Sequence, residues 1–155
     1  MSIEEGDPMR SYQLYLIKDE IARHYVGRER MFYQLFKEFS LASGELQSII
    51  LRQIEYLTKP LPVLRIHQLL FTQLSKHKGF QVEQGMYYLR TNKLQSTAVL
   101  KVLNDRTLLI EADGSLEAET IFFEVLRKIE SSFMAVDIDS SRYGWLKPIK
   151  ERKFV

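Results

Sequence analysis

The chain has 155 residues, a formal net charge of +2 and no cysteine. That length suits one domain able to bury roughly 70% of its unfolded surface, so neither a metal nor a disulfide is needed for folding. The lack of cysteine excludes disulfides, thiolate metal sites and cysteine nucleophiles together and fits a reducing compartment, while the small charge does not announce a nucleic-acid binder.

Charge is uneven along the chain. Residues 1–8 carry Glu4, Glu5 and Asp7 with no base. They read as a flexible acidic extension, with Met9 as an alternative start, ahead of a single domain over 9–155. An acidic start is the wrong opening for a signal peptide, and no apolar run approaches the ~20 residues of a membrane span. The expected location is therefore the cytoplasm, with no membrane contact.

Residues 12–17 are aromatic and branched and predict a first strand. Residues 18–26 predict a short helix stopped by Gly27. Residues 28–39 predict a longer one, with Met31, Phe32, Leu35, Phe36 and Phe39 on one face. Ser43 is placed to cap the next helix. That helix carries Leu46, Ile49, Ile50, Ile54 and Leu57 as a stripe and ends before Pro60, whose ring and missing N–H stop it. Gln53 falls inside this stripe and Tyr56 at its edge. A buried amide costs free energy unless hydrogen-bonded, so either Gln53 pairs internally or this part of the stripe faces a partner.

Pro62 opens a helix over 63–76, with Val63, Ile66, Leu70, Phe71 and Leu74 inward, and Gly79 closes it. The period then changes. Residues 84–90, 96–102 and 107–111 predict strands. Residues 117–129 predict a helix with a broad face of Ala118, Ile121, Phe122, Val125, Leu126 and Ile129. Residues 133–138 predict a last strand, apolar enough to lie mid-sheet. The chain after Asp139 reads as irregular. Strand, helices, strands, helix and strand together predict an α/β (α+β) domain, a mixed sheet covered by several helices.

Chemistry is hard to find. His24, His67 and His77 form no metal pattern and read as surface histidines. No phosphate-cradling glycine loop or nucleophile elbow occurs. Glu117 and Glu119 lie in the first turn of their helix, where negative charge meets the positive end of the dipole. No catalytic residue, metal ligand, cofactor or small-molecule site is expected, and the chain reads as a non-enzyme. Around Gly27, Arg23, His24, Tyr25, Arg28 and Arg30 crowd together. Pattern leaves two readings there, a solvated basic turn or a binding surface, since Tyr and Arg are enriched at hot spots. The ending 142–155 alternates bases with Tyr143, Trp145, Leu146, Pro148, Ile149 and Phe154. It reads as a tail packed on the core with solvated bases, or as a recognition surface. A nucleic-acid binder using the Arg cluster and this tail is the alternative function.

The run Arg142-Tyr-Gly-Trp-Leu-Lys-Pro-Ile-Lys-Glu-Arg-Lys-Phe-Val155 closely resembles the ending of the SirA family, the sporulation inhibitors of replication of Bacillus and its relatives. Tyr15-Leu-Ile-Lys-Asp-Glu-Ile-Ala-Arg-His-Tyr-Val-Gly-Arg-Glu29 and Glu117-Ala-Glu-Thr-Ile-Phe-Phe-Glu-Val-Leu-Arg-Lys128 match in the same order. Gln53-Ile-Glu-Tyr-Leu-Thr-Lys-Pro-Leu-Pro-Val-Leu64 matches more weakly, and residues 80–106 match poorly. The resemblance implies a single α/β domain that binds domain I of the replication initiator DnaA at the onset of sporulation and blocks new rounds of replication. It implies partner contacts at Ile21, Tyr25, Gln53, Tyr56 and Pro148, with Arg23, Arg28 and Arg30 as rim charges. Ile21 departs from the family, where Phe can stand at that position.

Overall fold

The structure is a computed structural model, and it describes residues 9–92 and 95–147. The extension expected over residues 1–8 lies outside the described residues, as do Pro148 and Phe154. Seven strands and five helices follow in chain order. They are β1 (Arg10–Leu16), α1 (Asp19–His24), α2 (Arg30–Leu41), α3 (Gly44–Leu57), α4 (Val63–Leu74), β2 (Phe80–Glu83), β3 (Met86–Thr91), β4 (Ser96–Val102), β5 (Thr107–Gly114), α5 (Glu117–Leu126), β6 (Phe133–Asp137) and β7 (Arg142–Trp145). The strands form one sheet in the order β2-β3-β4-β5-β1-β6-β7. The α+β class holds, and the strand directions sharpen it: every pairing is antiparallel.

β1 sits inside the sheet, and its side chains alternate between two cores because successive residues of a strand point to opposite faces. Leu14 and Leu16 join Ile66, Leu70, Leu100, Leu108, Phe122 and Leu126 on the face covered by α4 and α5. Tyr15 and Ile17 join Phe32, Phe36, Ile50 and Ile54 on the face covered by α1, α2 and α3. β6 divides in the same way, Phe133 and Ala135 to the first core, Met134 and Val136 to the second. All five of its residues are buried, which explains its unbroken apolar run.

Several expectations are corrected. The strand expected over 84–90 is a hairpin, β2 and β3, turned at Gln84 and Gly85 with φ of 51° and 77°. The stretch after Asp139 is not wholly irregular, since β7 pairs with β6 there. Its alternation of Tyr143 and Trp145 with Arg142 and Gly144 lacks the apolar run that marks a central strand, as suits a partly exposed edge. Ser43 holds the cap position of α3, yet its hydroxyl makes no capping bond; the Gln47 N–H donates to the Ser43 carbonyl instead (3.5 Å). His67 is not a free surface group: its Nδ1 lies 2.8 Å from the Tyr87 hydroxyl, half-buried beneath Phe71.

Candidate partner-binding site

The end of β1 and the end of α3 are tied together by backbone. The Lys18 N–H donates to the Leu57 carbonyl (2.9 Å), the Lys59 N–H donates to the Leu16 carbonyl (2.7 Å), and Ile17 bridges Thr58. The Arg106 guanidinium donates to the Thr58 carbonyl (2.7 Å) and to the Glu55 carbonyl (3.3 Å), placing positive charge at the negative end of α3. α1 therefore starts where α3 stops. The Tyr25 N–H donates to the Ile21 carbonyl and closes the last turn of α1 (3.1 Å). Gly27, at φ +87°, then reverses the chain into α2, a conformation cheap only for glycine.

These constraints bring three of the expected residues to one groove of about 650 Å³ between α2 and α3. Tyr25, Gln53 and Tyr56 line it together with Met31, Leu35 and Leu57, while Arg52 and Glu38 add charge. Tyr56 is 69% exposed, a large fraction for so apolar a ring. Its ring is nonetheless held, because the Lys18 ammonium lies 4.8 Å from the centroid. The Arg28 guanidinium lies 4.9 Å from the Tyr25 centroid and donates to the His24 carbonyl (3.2 Å). Cation and ring attract by about 0.5–1 kcal/mol at such exposed sites. Arg28 is thus engaged with Tyr25, whereas Arg23 and Arg30 stand exposed.

Gln53 is exposed, so the internal-pairing reading of this amide falls away. The stripe it belongs to is split: Ile50 and Ile54 are buried, while Leu46 and Ile49 face outward beside Gln53 and Tyr56. Ile21 is half-buried against the second core and does not line the groove. Pro148 lies outside the described residues.

Two features were not visible in the sequence. The Glu29 carboxylate accepts from the Gly27 N–H (2.9 Å) and from the Trp145 indole Nε1–H (3.1 Å). Burial alone would raise this carboxyl, but those hydrogen bonds outweigh it and hold the group below its ordinary value. On the other side of the sheet, Glu119 is 1% exposed. It accepts from Arg10 Nε (2.8 Å) and Nη2 (2.6 Å) and from the Tyr12 hydroxyl. Its role exceeds the helix-dipole effect expected of it, because its partners come from a strand more than a hundred residues earlier. Arg142 pairs with buried Asp137 (2.9 Å) beside this cluster. Among the described residues no group of three or more His, Asp and Glu is placed to hold a metal ion, and no helix is long and apolar enough to cross a membrane.

These features define a single-domain α+β protein with an open apolar groove, rimmed by tyrosines and bases, on its helical face. The family model described as "Sporulation inhibitor of replication protein SirA" matches residues 10–150, and the chain belongs to that family. It is 43% identical over 148 residues to the "Sporulation inhibitor of replication protein SirA" of Bacillus subtilis (strain 168), across 94% of this chain and 99% of that one. The family's name is that of a regulatory inhibitor.

Proposed function

We propose that this protein inhibits the initiation of chromosomal replication during sporulation by binding domain I of the initiator DnaA in the groove between α2 and α3. Family membership supports the process, and the groove supports the mode. The observation that carries the reading is the meeting of Tyr25, Gln53 and Tyr56 around one apolar groove. Tyrosines at the edge of an apolar floor join contact area to directed hydrogen bonding, the composition of an interface hot spot. Ile21 braces this surface from the second core, where the smaller side chain gives less contact than Phe. Pro148 joins the set from sequence resemblance alone. Arg23, Arg28 and Arg30 act on association rate more than on affinity. The groove's lining is mainly apolar and aromatic, which suits a protein partner better than a nucleic-acid backbone.

Titration of the purified protein with DnaA domain I tests this. Tyr25→Ala and Tyr56→Ala are each expected to cost more than ~1 kcal/mol of binding. Absence of wild-type binding at tens of micromolar overturns the partner, and unchanged affinity in both variants overturns the site. Raising the salt distinguishes the nucleic-acid reading, since phosphate binding collapses steeply whereas an apolar-centred interface weakens modestly.

A further inference from the structure

Of the groove's two tyrosines Tyr56 is exposed and Tyr25 half-buried, and the turn that follows Tyr25 is tied to the far edge of the sheet. Trp145, the sole tryptophan and the last residue of β7, donates its indole N–H to Glu29. The same carboxylate oxygen accepts from the Gly27 N–H, inside the turn. Trp145 also meets Phe32 edge to face at 5.9 Å between centroids, and Phe32 meets Tyr25 in the same manner at 5.8 Å. One polar path and one aromatic path thus lead from β7 to Tyr25. Both are short and both pass through residues at the start of α2. Glu29 makes no ion pair among the described residues, so its charge is spent on the two N–H donors.

We propose that Glu29 and Trp145 are positioning residues, which hold the Gly27 turn so that Tyr25 is presented to the partner in its binding orientation. The role rests on the reading that Tyr25 contacts DnaA domain I. Neither residue lines the groove, so neither acts by touching the partner there. The edge strand β7 is therefore part of the recognition apparatus without belonging to its surface. Preorganisation of this kind raises affinity by lowering the ordering cost of binding.

Trp145→Phe keeps an aromatic ring beside Phe32 but removes the N–H donor together with part of the indole's contact area, whereas Glu29→Gln leaves that packing untouched. Trp145→Phe is expected to weaken DnaA domain I binding about fivefold, a part of what a hydrogen bond to a charged group is worth. In a Tyr25→Ala background the same change is expected to have no further effect, because the brace acts through Tyr25. A partner-free readout is amide exchange at Gly27, expected to quicken several-fold in Trp145→Phe and in Glu29→Gln. Circular dichroism checks the fold, and Glu29→Gln carries both measurements where Trp145→Phe fails to fold. Unchanged affinity overturns the positioning role whatever the exchange does, and so does an equal further loss in the Tyr25→Ala background. Should the wild type not bind DnaA domain I, the partner reading falls, and exchange at Gly27 alone decides whether the brace exists.

Discussion

Removing the Arg10 guanidinium strands the Glu119 carboxylate in the protein interior with only the Tyr12 hydroxyl to donate to it. An uncompensated buried charge is far costlier than the ion pair is stabilising. Arg10→Met is therefore expected to lower unfolding free energy by about 3 kcal/mol, and Arg10→Met with Glu119→Leu to recover most of it, as read by urea denaturation. Tyr12 gives the same site a signature in alkali. Burial, then the Glu119 carboxylate, pushes its hydroxyl up to about 12, and burial does the same for Tyr15. Below pH 10 both rings are neutral folded or unfolded, and their contribution is complete. Between about 10 and 12 the unfolded chain ionises first, so stability falls as pH rises. Absorbance at 295 nm is expected to show Tyr12 and Tyr15 ionising late, alongside the loss of stability. Glu119 also illustrates what the sequence could not disclose. Its place in a first helical turn was legible, but its partner Arg10 lies 109 residues away, and no periodicity links them.

At the scale of elements, periodicity located most of the helices and half of the groove. The stripe on α3 announced an apolar face, and Gln53 inside it left two readings, an internally paired amide or a part of the stripe that faces a partner. The period could not say that Leu46 and Ile49 fall outside the core, because that depends on where α2 lies. Nor could it reveal Lys18 over Tyr56 or Trp145 beside Glu29, since both contacts join separate elements. The β2–β3 hairpin was hidden for a local reason. Its turn uses Gln84 with positive φ ahead of Gly85, a pair less conspicuous than Asn-Gly. Gly79, before β2, is held close to β3: the Arg90 N–H donates to its carbonyl (3.0 Å), and a Cβ there would stand 1.9 Å from the Arg90 carbonyl oxygen. Gly79→Ala forces backbone apart from backbone. It is expected to cost about 2 kcal/mol by denaturation, with the loss of amide protection confined first to β2 and β3.

For the molecule as a whole, β1 is the shared wall of two cores. Leu14, fully buried, pairs across to Leu108 on one side and Ala135 on the other. Leu14→Ala removes methyl groups only from the core under α4 and α5. Because Tyr15 beside it stacks on Phe36 at 3.8 Å in the other core, the damage crosses the sheet. The expected result is a loss of about 3 kcal/mol in a single transition, with tyrosine near-ultraviolet signals and backbone signals melting together. Separate transitions for the two signals contradict this coupling. The covering of the sheet is also lopsided. The second group of helices packs over β1 and β6, whereas the same face of β3, β4 and β5 carries Arg90, Thr97, Lys101, Glu111 and Asp113 at the surface or half-buried, with Lys101 paired to Glu111 (3.1 Å). An antiparallel sheet tolerates such a wet face, which an all-parallel sheet with crossovers on both faces does not.

The interior position of β1 sets an order of events during synthesis. Its neighbours β5 and β6 begin at Thr107 and Phe133, so the first strand to leave the ribosome waits for about a hundred residues before its first edge is closed and longer still for the second. At 5–20 residues per second that wait lasts several seconds. A nascent chain halted before Phe133 already contains Tyr25 and Tyr56, but it has neither the strand that shuts the second core nor the tryptophan that reaches Glu29. Unfinished copies thus carry Tyr25 and Tyr56 without the packing that sets them around the groove, and that packing is complete only when the strand bearing Trp145 is added.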